Sequence, residues 1–378
     1  MALTIVKSPP NPIIAVRMPV VFQMLTGYTG LCHITGMVGS VGDSIEPDTA
    51  HKATFEFSDY LRDKPVLNAG LTVPAVHNSA CPSQTFVFAE VYGTPPTDHN
   101  IVTTSAFRLL AAKVPHWKKD FAGTITNHIT GNKPFLTWYP NQIRKVLPGE
   151  MIHLYYLVID TSEYLYNLQF TITYTDASTD VFNGASSAQV NNYSVVQLDA
   201  SPAIVEAWAL ANEPDKIVSH YAVRVAYYSA PDYIPVSESR SFVINRMPFT
   251  NPRQIIFRNS FGTFDQVMLR GIGTITATTE RLSASRQANY DAAQVPDRVT
   301  WYNEGRQMLQ TETGYLLKAE RAWLNELLTS TEVYEKQASV LIPVMLKTEK
   351  MTQLNDETPL ISIPIEMEYL QTPVIETV

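Results

Sequence analysis

Along most of the chain, apolar and polar residues alternate in short runs, each closed by Gly, Pro, Asn or Asp. "NPIIAVRMPV", "HKATFEFSDYL", "SQTFVFAEVYG" and "MIHLYYLVI" read this way in the first part. "LQFTITYTD", "YSVVQLDA", "SHYAVRVAYYS" and "SRSFVINRM" follow in the middle. A period of two sends successive side chains to opposite faces, so these runs specify half-buried strands. The 25 prolines are spread through the sequence, as expected where many edges and turns must be kept from pairing wrongly. The pattern predicts a mainly β protein.

At 378 residues the chain is longer than one hydrophobic core usually serves. Two or three β-sandwich modules of immunoglobulin or fibronectin type are therefore expected, with one helix packed on the C-terminal module. The first module is placed at 1–160. The second, at 161–247, holds about seven candidate strands, with "YTDASTD" as a hairpin turn. A break at "MPFTNPRQ" opens the third, at 248–378. There "TETGYLLKAERAWLNELLTS" predicts a helix over 313–329. Leu316, Ala319, Trp323 and Leu327 fall on one stripe, widened by Leu317, Leu324 and Leu328. Lys318, Glu320, Arg321 and Glu326 fall largely on the other side. No repeat of solenoid or propeller length is visible.

Charge narrows the function. Charged residues are 17% of the chain, hydrophobic residues 45%, and the net charge is −8. No basic run exists beyond "HWKKD" and "QIRK", so direct nucleic-acid binding is not expected. So little surface charge suits a protein covered by partners. "MALTIVKSPPNPIIAVRMPV" lacks a charged segment followed by an apolar one, so no signal peptide is expected and synthesis is expected in the cytoplasm. No run approaches the roughly 18 apolar residues of a membrane span. The two cysteines, Cys32 and Cys81, form no CxxC pair. They can bridge, although two buried free thiols are the preferred reading.

Catalytic patterns are weak. No two of the 8 histidines stand three or four apart, so helical zinc spacing is absent. His116, beside Trp117, His153 and His220 read as structural or exposed. "GASSAQ" lacks the second glycine of a nucleophile elbow, and "GIGTIT" lacks the third of a phosphate loop. Glu366 and Glu368 share one strand face, as do Glu56 and Ser58, the usual arrangement of a solvent face. No catalytic, cofactor-binding or metal-binding residue is assigned, no cofactor is expected, and the chain is expected not to be an enzyme.

Aromatic clusters offer a possible interaction surface: Trp138 and Tyr139 in "FLTWYPNQ" with Phe135, and Tyr227, Tyr228 and Tyr233 in "AYYSAPDYIP". The Tyr pairs in "HLYYLVI" and "AYYS" are expected to place one ring in and one out. Such rings serve protein contacts, or stack on sugars. "RQIIFRNSFGTFDQVML" reads as strand, turn, strand, with Asn259 and Gly262 as the structural turn. Phe261 and Phe264 are placed to pin it to a core.

Taken in order, several of these stretches resemble a family: "SPPNPIIAV", "FEFSDYLR", "FLTWYP…VLPGEMIHLYYLV", "YTDASTD", "HYAVRV…PVSESRSFVIN", "RNSFGTFDQVML" and "RAWLNELLTSTEVYE…LIPVMLKTEK". They are similar to uncharacterised tail or baseplate-associated structural proteins of Bacteroidota phages and prophage-like elements. The resemblance covers nearly the whole chain and carries no catalytic residues. It implies a virion component whose partners are other virion or tail proteins and copies of itself. The alternatives are a host- or glycan-binding adhesin, with the aromatic clusters as platforms, and, third, a glycoside hydrolase with distant carboxylates.

Overall fold

The computed structural model describes residues 3–9, 13–15, 20–28, 32–62, 76–81, 83–92, 96–110, 135–159, 165–185, 193–229, 231–285, 298–338, 340–350 and 360–370. The protein is mainly β, as the alternation predicts. It divides into two compact units, Met1–Asn245 with Asn259–Phe264, and Arg246–Arg258 with Asp265–Val378.

The first unit holds two cores. In the N-terminal one, a sheet of strands Thr4–Lys7, Val21–Leu25 and Lys52–Glu56 accompanies a second of Thr97–Thr103, Phe86–Tyr92, His33–Val38 and Val41–Ile45. Alternation supplies the rings between them. Phe22, Phe55, Phe57, Phe86 and Phe88 are each 0% or 1% exposed. Phe22 and Phe86 lie 4.6 Å apart, centroid to centroid. Burying each ring contributes about 2–3 kcal/mol.

The second core runs from Phe135 to Ile244. One of its sheets orders Arg144–Val146, Arg240–Ile244, Val218–Ser229, Tyr166–Tyr174 and Thr179–Asn183, with Asp232–Pro235 also on Val218–Ser229. The other joins His153–Val158, Ser194–Asp199 and Val76–Ala80. The division expected at 160 is therefore crossed by both sheets. Arg144–Val146 pairs with Arg240–Ile244, and both His153–Val158 and Val76–Ala80 pair with Ser194–Asp199. Strand pairing is long-range, and period-two patterning marks strands without naming their neighbours.

The turn in "YTDASTD" forms as expected between Tyr166–Tyr174 and Thr179–Asn183. Asp176 Oδ1 accepts from the Ser178 N–H and hydroxyl at 2.9 and 2.6 Å, and Ala177 takes a positive φ of 65°. Ser58 does not continue the strand of Glu56; it opens a short helix, Ser58–Arg62, and its hydroxyl donates to the Glu56 carboxylate. Pro202–Asn212 is a helix that the alternation pattern does not reveal. Pro202 stands in its first turn, where a missing N–H costs nothing. Apart from Asn212 at its end, its exposed residues Ala203, Ala207, Leu210 and Ala211 are apolar, so no polar stripe marks the helical period.

The second unit is one seven-stranded sheet, ordered Phe264–Leu269, Arg253–Arg258, Val333–Gln337, Val340–Leu346, Ile361–Tyr369, Arg298–Leu316 and Thr274–Ser285. Helix Lys318–Leu328 packs on it through Trp323, whose indole N–H donates to Asp265 Oδ2 at 2.7 Å and whose ring lies 5.5 Å from Phe257. The helix begins later than 313. Thr311 and Leu316 remain paired with Ile365 and Ile361, and the Thr313 hydroxyl accepts from the Ile363 N–H. The start is set by Glu320, whose carboxylate accepts from the Leu317 N–H at 2.9 Å. Trp323, Leu324 and Leu327 are buried as the stripe predicts, whereas Leu316 ends the strand and Ala319 is exposed. Arg321 and Glu326, assigned to the polar side, are each 2% exposed, because a helical wheel shows relative facing and not where solvent lies.

Glu335, 1% exposed, anchors this sheet from inside. Arg253 Nη1 pairs with Oε1, while the Tyr369 hydroxyl at 2.6 Å and Gln337 Nε2 at 2.9 Å donate to Oε2. Burial first, then the Glu335 carboxylate, push the Tyr369 phenol up to about 12. A phenol whose folded pKa lies above its unfolded value near 10 stabilises fully below that value and loses the contribution as pH rises through about 12. Denaturant titrations between pH 9 and 12 are expected to show this alkaline loss, roughly over the interval between those pKa values, and Tyr369→Phe to reduce it. At neutral pH the variant should be less stable by about 1 kcal/mol.

Candidate functional site

A densely hydrogen-bonded feature of the first unit is the turn Asn259–Phe264, where every residue is buried. A surface turn leaves its peptide groups to water, whereas a buried one has to satisfy them internally. Asn259 does so. Its Oδ1 accepts from the N–H of Phe261 at 3.0 Å, the N–H of Thr263 at 3.1 Å and the Thr263 hydroxyl at 3.1 Å. Its Nδ2 donates to the Leu136 carbonyl at 2.9 Å, which also accepts from the Thr263 hydroxyl at 3.0 Å. Two backbone bonds close the loop, Asn259 N to Thr263 O at 2.8 Å and Gly262 N to Asn259 O at 3.0 Å. Gly262 has a φ of 79°, in the left-handed region that favours glycine. Asn259 and Gly262 thus shape the turn, and Phe261 and Phe264 are 0% and 1% exposed. Ser260 is occupied structurally, accepting from the Trp138 indole N–H at 2.7 Å while Phe261 stacks on the same indole with centroids 4.8 Å apart.

Those contacts divide the aromatic surface expected from sequence. Trp138 is half-buried within this scaffold. Tyr139 is buried, with the Arg144 guanidinium 5.1 Å from its ring centroid and its carbonyl accepting from Arg240 Nη1. Phe135 is 0% exposed. Tyr227 packs edge-on against Tyr166 with centroids 6.2 Å apart. Tyr155 and Tyr156 are both buried, unlike the in-and-out arrangement expected, because His153–Val158 is covered on both faces. Tyr228, 48% exposed, remains at the surface, its ring 5.1 Å from that of half-buried Tyr233 on the neighbouring strand.

The polar candidates are engaged locally. Glu366 and Glu368 lie on the outward face of Ile361–Tyr369; Gln310 Nε2 donates to Glu366 at 3.3 Å, and Lys347 lies 2.7 Å from Glu368. Glu366 borders a groove of about 730 Å³ whose lining also includes Thr274, Gln310, Glu312, Lys347 and Lys350. Buried His153 Nδ1 meets Gln197 Nε2 at 3.0 Å, and His220 is exposed. Glu90, 0% exposed, takes the Thr26 hydroxyl on one oxygen and Asn100 Nδ2 on the other. Cys32 and Cys81 are buried free thiols; burial raises both, Cys81 to about 12. Among the described residues, no group of three His, Cys, Asp or Glu side chains is arranged to hold a metal ion. No described helix is long and apolar enough to cross a membrane. His116, Trp117 and most of "GASSAQ" lie outside the described residues.

The feature that sequence reading missed is a long two-stranded ribbon in the second unit. Thr274–Ser285 has 12 residues and Arg298–Leu316 has 19, paired antiparallel from Thr274 with Gln310 to Ser285 with Arg298. Ile361–Tyr369 supports the longer strand only over Met308–Leu316. The rest, Arg298–Gln307, pairs with Thr274–Ser285, and Arg306 reaches Glu368 of Ile361–Tyr369 at 3.9 Å. Beyond that support the ribbon extends roughly 30 Å, at about 3.4 Å per residue. Thr274–Thr279 is exposed at every position, so neither face of that stretch packs on a core. "TITATTERLSAS" carried the signal: it is rich in β-branched residues, but its hydroxyl-bearing side chains blur the apolar alternation.

No protein-family profile matches the chain. No curated protein matches it. Among solved structures, a chain from work on host cell surface retention of a 1.5-MDa bacterial ice-binding adhesin aligns over 98% of this chain and 97% of that one, at 6% identity and a TM-score of 0.22. A TM-score of 0.22 is too low for the likeness to assign either fold or function.

The Asn259 network sets a clear expectation. Asn259→Ala strips the partners from buried N–H groups and should destabilise the first unit by about 3 kcal/mol. Gly262→Ala places a side chain at positive φ and should cost about 1–2 kcal/mol. Denaturant midpoints, read by near-ultraviolet circular dichroism, measure both.

Proposed function

We infer that the chain is a structural component of a phage or phage-derived particle, at the tail or baseplate, and that it works through protein–protein contacts rather than by catalysis. The observation that carries the assembly part of this reading is the long ribbon of Thr274–Ser285 and Arg298–Leu316, whose strand Thr274–Ser285 ends the seven-stranded sheet and is exposed at every position over Thr274–Thr279. Backbone donors and acceptors along such an edge are recognition chemistry for another strand. The low charge fraction of 17% supports extensive covered surface. The particle itself rests on the family resemblance. Partners are then other tail proteins and further copies of this chain, met after synthesis in the host cytoplasm. Gradient-purified particles from producing cells are expected to contain the chain in a fixed ratio to the other tail proteins, measured by quantitative mass spectrometry. Absence of the chain from intact particles would overturn the reading.

One observation favours the adhesin alternative, the surface pair Tyr228 and Tyr233. Rings presented this way stack on sugar faces. On that reading, saturable binding on an oligosaccharide array is lost in Tyr228→Ala while the fold is kept. An array with no saturable binder removes the alternative.

A further inference from the structure

Along strand Val218–Ser229, Tyr221, Val223 and Val225 are buried in the second core. A period of two then turns His220, Arg224 and Tyr228 to the opposite face of the sheet. Pairing carries that face across the neighbouring strands. Gln169 stands opposite Arg224, Asn183 opposite Gln169, and Tyr233 opposite Tyr228. On the other side His220 stands opposite Val243, which stands opposite Lys145. His220, Arg224, Tyr228, Asn183 and Lys145 are all exposed, so the face is open at each of those positions.

Its charge departs from that of the chain. The net charge is −8, yet the described strand residues of this face include Lys145, His220 and Arg224 and neither Asp nor Glu. Asp180 and Asp232, in the outer strands, fall on the opposite side, since they pair with Ile172 and Ser229. Arg224 is also held in place. Its Nε donates to Gln169 Oε1 at 2.8 Å, and Gln169 Nε2 lies 3.5 Å from Asn183 Oδ1. This ladder fixes the guanidinium through one nitrogen and leaves Nη1 and Nη2 without a partner among the described residues. Those two nitrogens form a planar pair of donors, the shape that takes a carboxylate bidentately.

Four residues along the same strand, roughly 13 Å at about 3.3 Å per residue, Tyr228 and Tyr233 present rings 5.1 Å apart. An aromatic face packs against the apolar C–H face of a pyranose. A small free anion would leave the rings unused, and a neutral sugar would leave the guanidinium unused. Nucleic acid would need a denser set of cations to neutralise successive phosphates. We propose that this sheet face binds an acidic oligosaccharide, with a sugar carboxylate on Arg224 and a further sugar of the same chain on Tyr228 and Tyr233. Gln169 and Asn183 then offer amide groups to hydroxyls beside the carboxylate. This inference rests on the glycan-binding reading of the tyrosine pair; it adds the class of ligand and the residue that reads its charge.

The full chain tests it on an array that sets sialyllactose against lactose, uronate oligomers against neutral hexose oligomers, and sulfated members against both. Saturable binding to carboxylated members over their neutral counterparts is expected, weakening as salt rises. Arg224→Gln, at an exposed position, should keep the circular dichroism and melting of the parent and lower that affinity about tenfold. Arg224→Lys keeps the charge without the planar fork and should recover only part of the loss. Binding to neutral members alone, or unchanged affinity in Arg224→Gln, would overturn the acidic ligand and leave the glycan-binding reading standing. A preference for sulfated over carboxylated members would overturn the carboxylate on Arg224. No saturable binder on the array would remove the glycan-binding reading and this inference together, and leave the assembly reading in place.

Discussion

The constraint on which this structure depends is that a buried peptide group needs a partner. In a β protein it acts at two kinds of place, where a sheet stops and where a chain turns inside a core. Both are visible. Most sheet edges are short, bulged, charged or covered. The turn Asn259–Phe264 sits where no water is available, and one carboxamide there supplies the missing partners. The strand Thr274–Ser285, at the edge of its sheet, is the exception: Thr274–Thr279 is exposed at every position.

The same constraint explains where the few charges go. Charged residues are 17% of the chain, and several of them are placed inside. Glu150 is 2% exposed and bound by Arg144; Glu335 is 1% exposed and bound by Arg253; Arg240 is 5% exposed and bound by Glu238. Buried pairs of this kind add little net stability over apolar residues, because desolvation offsets attraction, but losing one member leaves an uncompensated charge. With such charges buried, the surface is even less charged than the composition suggests.

Fold class was legible because alternation is local. Tyr166–Tyr174 and Val218–Ser229 can be read from their own residues, and so can the turn at Asp176. Pairing was not legible: nothing in "VHNSA" announces that it lies beside Ser194–Asp199, which is why the division at 160 failed. Asn259 and Gly262 were legible as turn formers, since their backbone preferences are intrinsic. That the turn is buried, with Trp138 engaged by Ser260, depends on residues more than a hundred positions away. Helix Pro202–Asn212 escaped because most of its exposed residues are apolar, and the ribbon because hydroxyl-bearing residues interrupt the alternation of its sequence.

The Asn259 carboxamide also bears on the chemical ageing of the protein. Asparagine followed by serine is prone to deamidation, in which the next residue's backbone nitrogen attacks the side-chain carbonyl carbon. That attack needs a freely rotating side chain and a mobile peptide. Here Oδ1 is held by three donors and Nδ2 by the Leu136 carbonyl. The fold therefore guards this residue, and the damage here proceeds only through molecules that have opened. Once Asn259 has become a carboxylate, an anion faces the Leu136 carbonyl in a site built for an amide, and refolding is penalised. Transient opening at this turn is thereby made irreversible.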